Sequence, residues 1–302
     1  MKIILFGKNG QLGRELQRVL APFGEVTAVD YQEIDLRDAS RAALETFIRL
    51  QKPQAIVNAS AYTAVDRAEQ EQELAFQVNS RAPGLMANLA RELNSAFIHV
   101  STDYVFDGTL GRPYVETDTP NPLNIYGKSK LSGEQEIQKA GGAYLILRTS
   151  WVYSMGADSF VTKILGWARK NPELRVVDDQ VGNPTWARPL AEMIGRLLTK
   201  AGYAPFAFFE KNAGVYHLAG RGYVSRFDLA KEIIALASLR EPGLVSSIQP
   251  ARTIDFPAPA QRPLFSALNS AHFEATFDLR LPEWQDALKL ALDFNNDSRV
   301  VT

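Results

Sequence analysis

Short apolar runs alternate with amphipathic stretches along the first half of the chain. KIILF (2–6) has the pattern of a buried strand closing on glycine, and Leu12, Leu16, Val19 and Leu20 then recur at helical spacing. EVTAVD (25–30) predicts a second strand, residues 40–51 a helix and AIVNAS (55–60) a third strand. Leu74, Val78, Leu85, Leu89 and Leu93 predict a helix over 73–94, interrupted at Pro83. AFIHVST (96–102) is the next strand, followed by a helix over 124–140 and a long strand AYLILRTSWVY (143–153). Strands alternating with helices of this length predict an α/β fold, a doubly wound parallel sheet of Rossmann type with crossover helices on both faces.

Beyond residue 153 the pattern loosens. A helix near 159–170 leads into RVVDDQVGNPTWARP, polar and rich in turn residues, and then into a helix over 188–201. GVYHLAG (214–220) reads as a further strand returning to the sheet. Four prolines in 249–263 are too many for regular structure, and Pro282 is placed to open a last helix over 282–294. The division expected is a dinucleotide-binding domain of residues 1–153 plus 188–220. A smaller, loop-rich C-terminal substrate lobe takes 154–187 and 221–302.

Composition narrows the function classes. With 302 residues, 46% hydrophobic and 22% charged, the chain has an ordinary globular balance. A formal net charge of -1 gives no electrostatic case for a nucleic acid polymer or an anionic membrane. The absence of cysteine removes disulfides, thiolate nucleophiles and cysteine-based zinc sites. No apolar run approaches the length of a membrane span, and MKIILFGKNGQ is too short in apolar residues for a secretory segment. These features predict a soluble, cytoplasmic protein.

Three stretches carry chemistry. GKNGQLG (7–13) lies between a strand and a helix with its glycines spaced G-x-x-G-x-x-G. Gly7, Gly10 and Gly13 would let the backbone turn sharply and approach a pyrophosphate, which the helix N-terminus then favours. Asp30, at the end of the second strand, is placed to accept hydrogen bonds from an adenosine ribose. It would repel a 2′-phosphate, which Lys8 or Arg14 could offset, so NADH and NADPH both stay open. STDYVFDG (101–108) follows the strand 96–102, at the strand ends where ligands bind in such sheets. A hydroxyl there could donate to a carbonyl oxygen. NIYGKSK (124–130) sets Tyr126 and Lys130 one helical turn apart, with Lys128 pointing elsewhere. A phenol titrating near 10 is a poor proton donor at neutral pH, and an ammonium beside it would bring it nearer the useful range. Alone, each stretch also suits an ordinary turn or helix face; the three in this order are far more specific.

These elements, together with VNASAYTAVDRAE, NPLNIYGKSKLSGE, RTSWVY and GNPTWARPLA, resemble the extended branch of the short-chain dehydrogenase/reductases. Within it they resemble the dTDP-4-dehydrorhamnose reductase family, from residue 1 to about 295. The resemblance implies NAD(P)H-dependent reduction of the C4 keto group of a dTDP-sugar. It implies Gly10, Gln11 and Leu12 against the pyrophosphate and Asp30 on the ribose. Asp35 and Leu36 would flank the adenine, with Ala61, Tyr62 and Thr63 near the nicotinamide. Tyr126 would be the proton donor, and Lys130 would hold the ribose and tune the tyrosine. Thr102 would bond the sugar C4 oxygen, Asp103 would contact substrate and Trp151 would wall the sugar pocket. Related dehydratases carry Asp-Glu after the S-T; here Tyr104 follows Asp103, which favours simple carbonyl reduction.

The resemblance also implies alternatives: another keto-sugar reductase or an epimerase, or a noncatalytic regulatory subunit like that of methionine adenosyltransferase. Some family members form a homodimer around Mg2+ held by glutamates. Glu15 matches one of these, but Arg188 stands where another is expected, so a metal-bridged dimer is not expected and the chain is a monomer or homodimer.

Overall fold

The computed structural model describes residues 1–37, 41–239, 241, 244 and 247–297. In chain order the main elements are β1 (Lys2–Phe6), α1 (Gln11–Leu20), β2 (Glu25–Val29), α2 (Arg41–Gln51) and β3 (Ala55–Asn58). They continue with α3 (Ala82–Glu92), β4 (Ala96–Thr102), α4 (Ile125–Ala140), β5 (Tyr144–Thr149), α5 (Phe160–Ala168) and β6 (Glu173–Val177). The last are α6 (Ala187–Ala201), β7 (Gly214–His217), α7 (Arg226–Ser238), β8 (Ser247–Ala251) and α8 (Trp284–Asp297). The expected start of the second helix at residue 40, and residues 298–302 of the expected substrate lobe, lie outside the described residues.

Six strands form one sheet in the order β7-β5-β4-β3-β1-β2, every pair parallel. The chain runs outward from β1 to β2 and then crosses back to β3. The strand order therefore reverses beside β1, and the crevice beyond the strand ends there is where such sheets bind ligands. One face is covered by α1 and α6 through Leu12, Leu16, Leu190, Ile194 and Leu197. The other is covered by α2, α3 and α4 through Leu44, Ile48, Met86, Leu89 and Ile137. A separate core, with Ile164, Leu174, Leu229, Ile233 and Leu288, joins α5, β6, α7 and α8.

Several local expectations are corrected. The long strand 143–153 is two: β5 stops at Thr149, Trp151 takes φ 45, and Val152–Tyr153 pairs instead with Thr185–Trp186. The helix over 73–94 is split into Gln72–Phe76, a wider π turn at Gln77–Arg81 and α3, whose first turn tolerates Pro83. The polar stretch after α5 contains β6, which pairs in parallel with β8. Pro250 lies inside β8, so the proline-rich segment is regular at its start. Pro282 precedes α8 rather than opening it.

Candidate functional site

The loop after β1 is shaped by two close approaches. Gly7 has φ 86, and a Cβ there would lie 2.7 Å from Ser60 N. A Cβ on Gly13 would overlap the Gly7 carbonyl, so Gly13 seats α1 against the loop rather than facing a ligand. Gly10 is the N-cap of α1 and gives it no side-chain cap. A Cβ on Gly10 would meet only Gly7 O, at 3.4 Å.

This loop is one wall of a cavity of about 600 Å³. Asp30, Ala61, Thr63, Thr102, Tyr126, Lys130 and Trp151 also line it. A dinucleotide fits what the wall presents. The uncapped helix end suits a pyrophosphate, Gly10 leaves room for one, and two buried oxygens of the lining, Gln11 Oε1 and Thr149 Oγ1, have no hydrogen-bond partner among the described residues. Asp30 is held by Asn9 N at 2.9 Å and Tyr31 N at 2.8 Å. Lys8, which could have met a 2′-phosphate, is paired with Glu33 at 2.6 Å.

Other expected residues lie elsewhere. Leu36 is buried in the core under α2 and α3, because it continues the apolar face of Leu44 and Val78. Asp35 forms an ion pair with Arg37. Tyr62 gives its hydroxyl hydrogen to Glu71, and Asn79 clamps its backbone from both sides. None of the three lines the cavity.

The reacting end is built by two elements. Asn124 caps α4 by accepting from Gly127 N at 2.8 Å, and Gly127 has no Cβ because Tyr104 O occupies that space. The cap fixes the first turn, which puts Tyr126 at the cavity and leaves Lys128 exposed. The Tyr126 phenol faces the Thr102 side chain, which ends β4, and both line the cavity. Burial pushes the phenol above its ordinary range, against the opposing pull of the nearby Thr102 hydroxyl.

Two expectations are corrected here. The Lys130 amine makes no hydrogen bond to the phenol: it bonds His99 Nε2 at 3.0 Å and Val100 O at 2.7 Å, and burial lowers it to about 8. Asp103 borders the cavity, but its carboxylate accepts from Ser150 Oγ at 3.1 Å, Ser266 Oγ at 2.5 Å and Thr102 Oγ1 at 3.2 Å. Burial raises its pKa, and those bonds oppose the rise. Asp103 thus fixes the end of β4 rather than facing a substrate.

A second cavity of about 840 Å³ adjoins the first. Tyr104 on its wall packs edge-on to Tyr126, with ring centroids 5.7 Å apart. Arg226, at the start of α7, lies 3.6 Å from the Trp151 ring centroid and 4.6 Å from that of Phe160. Among the described residues Arg226 has no carboxylate in ion-pair reach, and burial lowers it to about 10. Arg262 on the same wall is paired with Asp66 at 2.6 Å, and Lys163 with Asp158 at 3.1 Å. The arrangement suits a polyanion held beside a ring that lies near Tyr126. Sequence reasoning missed Arg226; a basic residue opening an amphipathic helix was the only local signal.

The residues at the position expected for magnesium do not fit a cation. Glu15 is paired with Arg188 at 3.3 Å and with Arg18 at 3.2 Å. Among the described residues no group of three or more metal-binding side chains stands together. Nor, among them, is any helix long and apolar enough to cross a membrane.

The RmlD substrate binding domain family model matches residues 1–296. The dTDP-4-dehydrorhamnose reductase of Burkholderia thailandensis is 39% identical over 97% of this chain and 98% of its own. The crystal structure of the dTDP-4-dehydrorhamnose reductase of Clostridium acetobutylicum superposes with a TM-score of 0.88 at 35% identity, covering 98% of this chain and 100% of that one. That of Bacillus anthracis, in complex with NADP, gives 0.86 at 31% identity, covering 96% and 98%.

Proposed function

The chain belongs to the RmlD substrate binding domain family, that of the dTDP-4-dehydrorhamnose reductases, and from that premise we propose how its own residues reduce the C4 keto group of dTDP-4-dehydro-L-rhamnose. It is an oxidoreductase of dTDP-rhamnose synthesis and uses NADH or NADPH. The observation that carries the residue assignment is that Tyr126 and Thr102 stand together on the wall of the glycine-loop cavity.

Gly10, Gln11 and Leu12 hold the cofactor pyrophosphate at the end of α1, and Asp30 receives the adenosine ribose. A bound reduced nicotinamide supplies the hydride that goes to sugar carbon 4. Thr102 and Tyr126 converge on the sugar C4 oxygen. Tyr126 gives it the phenolic proton as negative charge develops there. A phenol raised by burial keeps that proton until an alkoxide, a far stronger base, is formed beside it. Trp151 covers the sugar ring, and Arg226 takes the diphosphate on the other side of the indole. Residues 1–153 with 188–220 thus serve the dinucleotide, and 154–187 with 221–302 the substrate. The protein works as a monomer or a homodimer that needs no metal bridge.

The test is to follow reduced nicotinamide absorbance with dTDP-4-dehydro-L-rhamnose. Stoichiometric consumption is expected. An epimerase re-oxidises its own cofactor and a regulatory subunit has no turnover, so absence of net consumption refutes the reductase reading.

A further inference from the structure

Lys130 is buried among partners whose hydrogen-bond polarity can be worked out atom by atom. Asn58, at the end of β3, accepts from Ser60 N at 3.0 Å and from Ser60 Oγ at 2.6 Å on its Oδ1. A backbone N–H can only donate, so that end of the carboxamide is its oxygen. The other end is therefore the NH₂, and it lies 3.1 Å from His99 Nδ1. An amide NH₂ can only donate, so Nδ1 bears no hydrogen. The imidazole is neutral and carries its hydrogen on Nε2, which faces Lys130 Nζ at 3.0 Å. An ammonium has no lone pair to receive that hydrogen; a free amine has one. The amine's own hydrogens are then available to Val100 O, at 2.7 Å, and to the cavity.

We infer that Asn58 and His99 act as positioning residues that fix Lys130 as an uncharged amine in the resting enzyme, so that a cation forms beside Tyr126 only when the Lys130–His99 contact is given up. The inference rests on the reading of Lys130 as part of the reductase site, but the charge state itself follows from the hydrogen bonds alone. Asn58 and His99 are both fully buried, so water does not stand in for a mismatched donor. The charged or titratable groups around Lys130 allow it. On its own helix these are Tyr126 and Glu134. Glu134 is neutralised by Arg148 of β5 at 2.6 Å and accepts from Ser101 at 2.5 Å. From β4 there is His99, held neutral by burial, and after β4 there is Asp103, tied to three hydroxyls. Burial lowers Lys130 in the same direction. The consequence is that the basic limb of the pH profile is set by a residue pair that touches neither substrate nor cofactor.

The experiment is an NMR titration of the full chain carrying ¹³Cε,¹⁵Nζ-lysine, with Lys130 assigned from the signal missing in Lys130→Arg. Burial lowers the amine to about 8, and with the His99 contact the expected midpoint lies below about pH 7, against the ordinary lysine value of about 10.4. In His99→Gln the amide oxygen can take the Nε2 position and accept from an ammonium. The midpoint should then rise by a unit or more, a tenfold gain in proton affinity, and the basic limb of kcat/KM should move with it. In Asn58→Asp the carboxylate accepts from Nδ1, turns Nε2 into an acceptor and should raise the midpoint too; this second variant serves if the first does not fold. A wild-type Lys130 that is still mostly ammonium at about pH 7, or a midpoint unmoved in the folded variants, overturns the inference. The titration needs no substrate, so a protein inactive on the dTDP-sugar would sink the reductase reading while leaving this result standing.

Discussion

The guanidinium of Arg226 lies 3.6 Å from the centre of the Trp151 ring. Trp151 follows the end of β5 and packs against the smaller core, at the edge of which Arg226 opens α7, so the stack sits where the parallel sheet meets that core. An arginine lying on an indole keeps its in-plane donors free for a second partner. Truncating Arg226→Ala should therefore raise KM for the dTDP-sugar by roughly ten- to a hundredfold, the equivalent of the ~1.5–3 kcal/mol of a hydrogen bond to a charged group. Cofactor affinity should hardly change. Steady-state kinetics with a separate cofactor titration read both, and an unaltered KM would remove Arg226 from the substrate site.

Tyr126→Phe keeps the ring against Tyr104 and removes only the proton. The expected loss in kcat is about 10²- to 10⁴-fold, the usual range for general acid catalysis, with cofactor binding nearly intact. A fully active variant would take the tyrosine out of its role. Thr102→Val should lose less, because it removes an orienting hydroxyl but not the donor.

The Lys8–Glu33 pair bears on cofactor choice. Glu33 also accepts from Asp30 N at 2.9 Å, so one carboxylate both occupies the nearest cation and braces the ribose acid. Glu33→Gln should release Lys8 and shift preference several-fold toward NADPH, read as the ratio of the two cofactor affinities. An unchanged ratio would mean that Lys8 lies beyond reach of the 2′-phosphate.

Glu134 and Arg148 form a bidentate ion pair with side chains 1% and 4% exposed. Breaking such a pair from one side leaves an uncompensated buried charge. Glu134→Ala should cost about 3–5 kcal/mol of folding stability in a denaturant titration. A loss below about 1 kcal/mol would mean that water reaches Arg148.

The glycine loop, the strand-end S-T-D and the Tyr126–Lys130 turn were legible because each depends on residues adjacent in sequence. The strand pattern was legible for the same reason, since period and flanking glycine are local. What escaped depends on contacts between distant segments. Trp151 breaks its strand with φ 45 because Val152 and Tyr153 must leave the sheet to meet Thr185 and Trp186. Leu36 turned out to be core because α2 and α3 close over it. Lys130 was expected beside the phenol from helical spacing and from the family resemblance; only the fold brings Asn58 and His99 from two neighbouring strands to claim its amine. Proline count misjudged β8, since Pro250 sits in a strand paired on one side only, where a missing N–H does no harm.

The nesting of Gly7 against Ser60 and of Gly13 against Gly7 has a consequence for anyone reshaping this enzyme. The cradle proposed for the cofactor is drawn by main chain, so its outline survives exchange of the side chains around it, and specificity can be rewritten from those positions. A single methyl at either glycine would deform the outline itself. Libraries that randomise the loop should leave those two codons untouched.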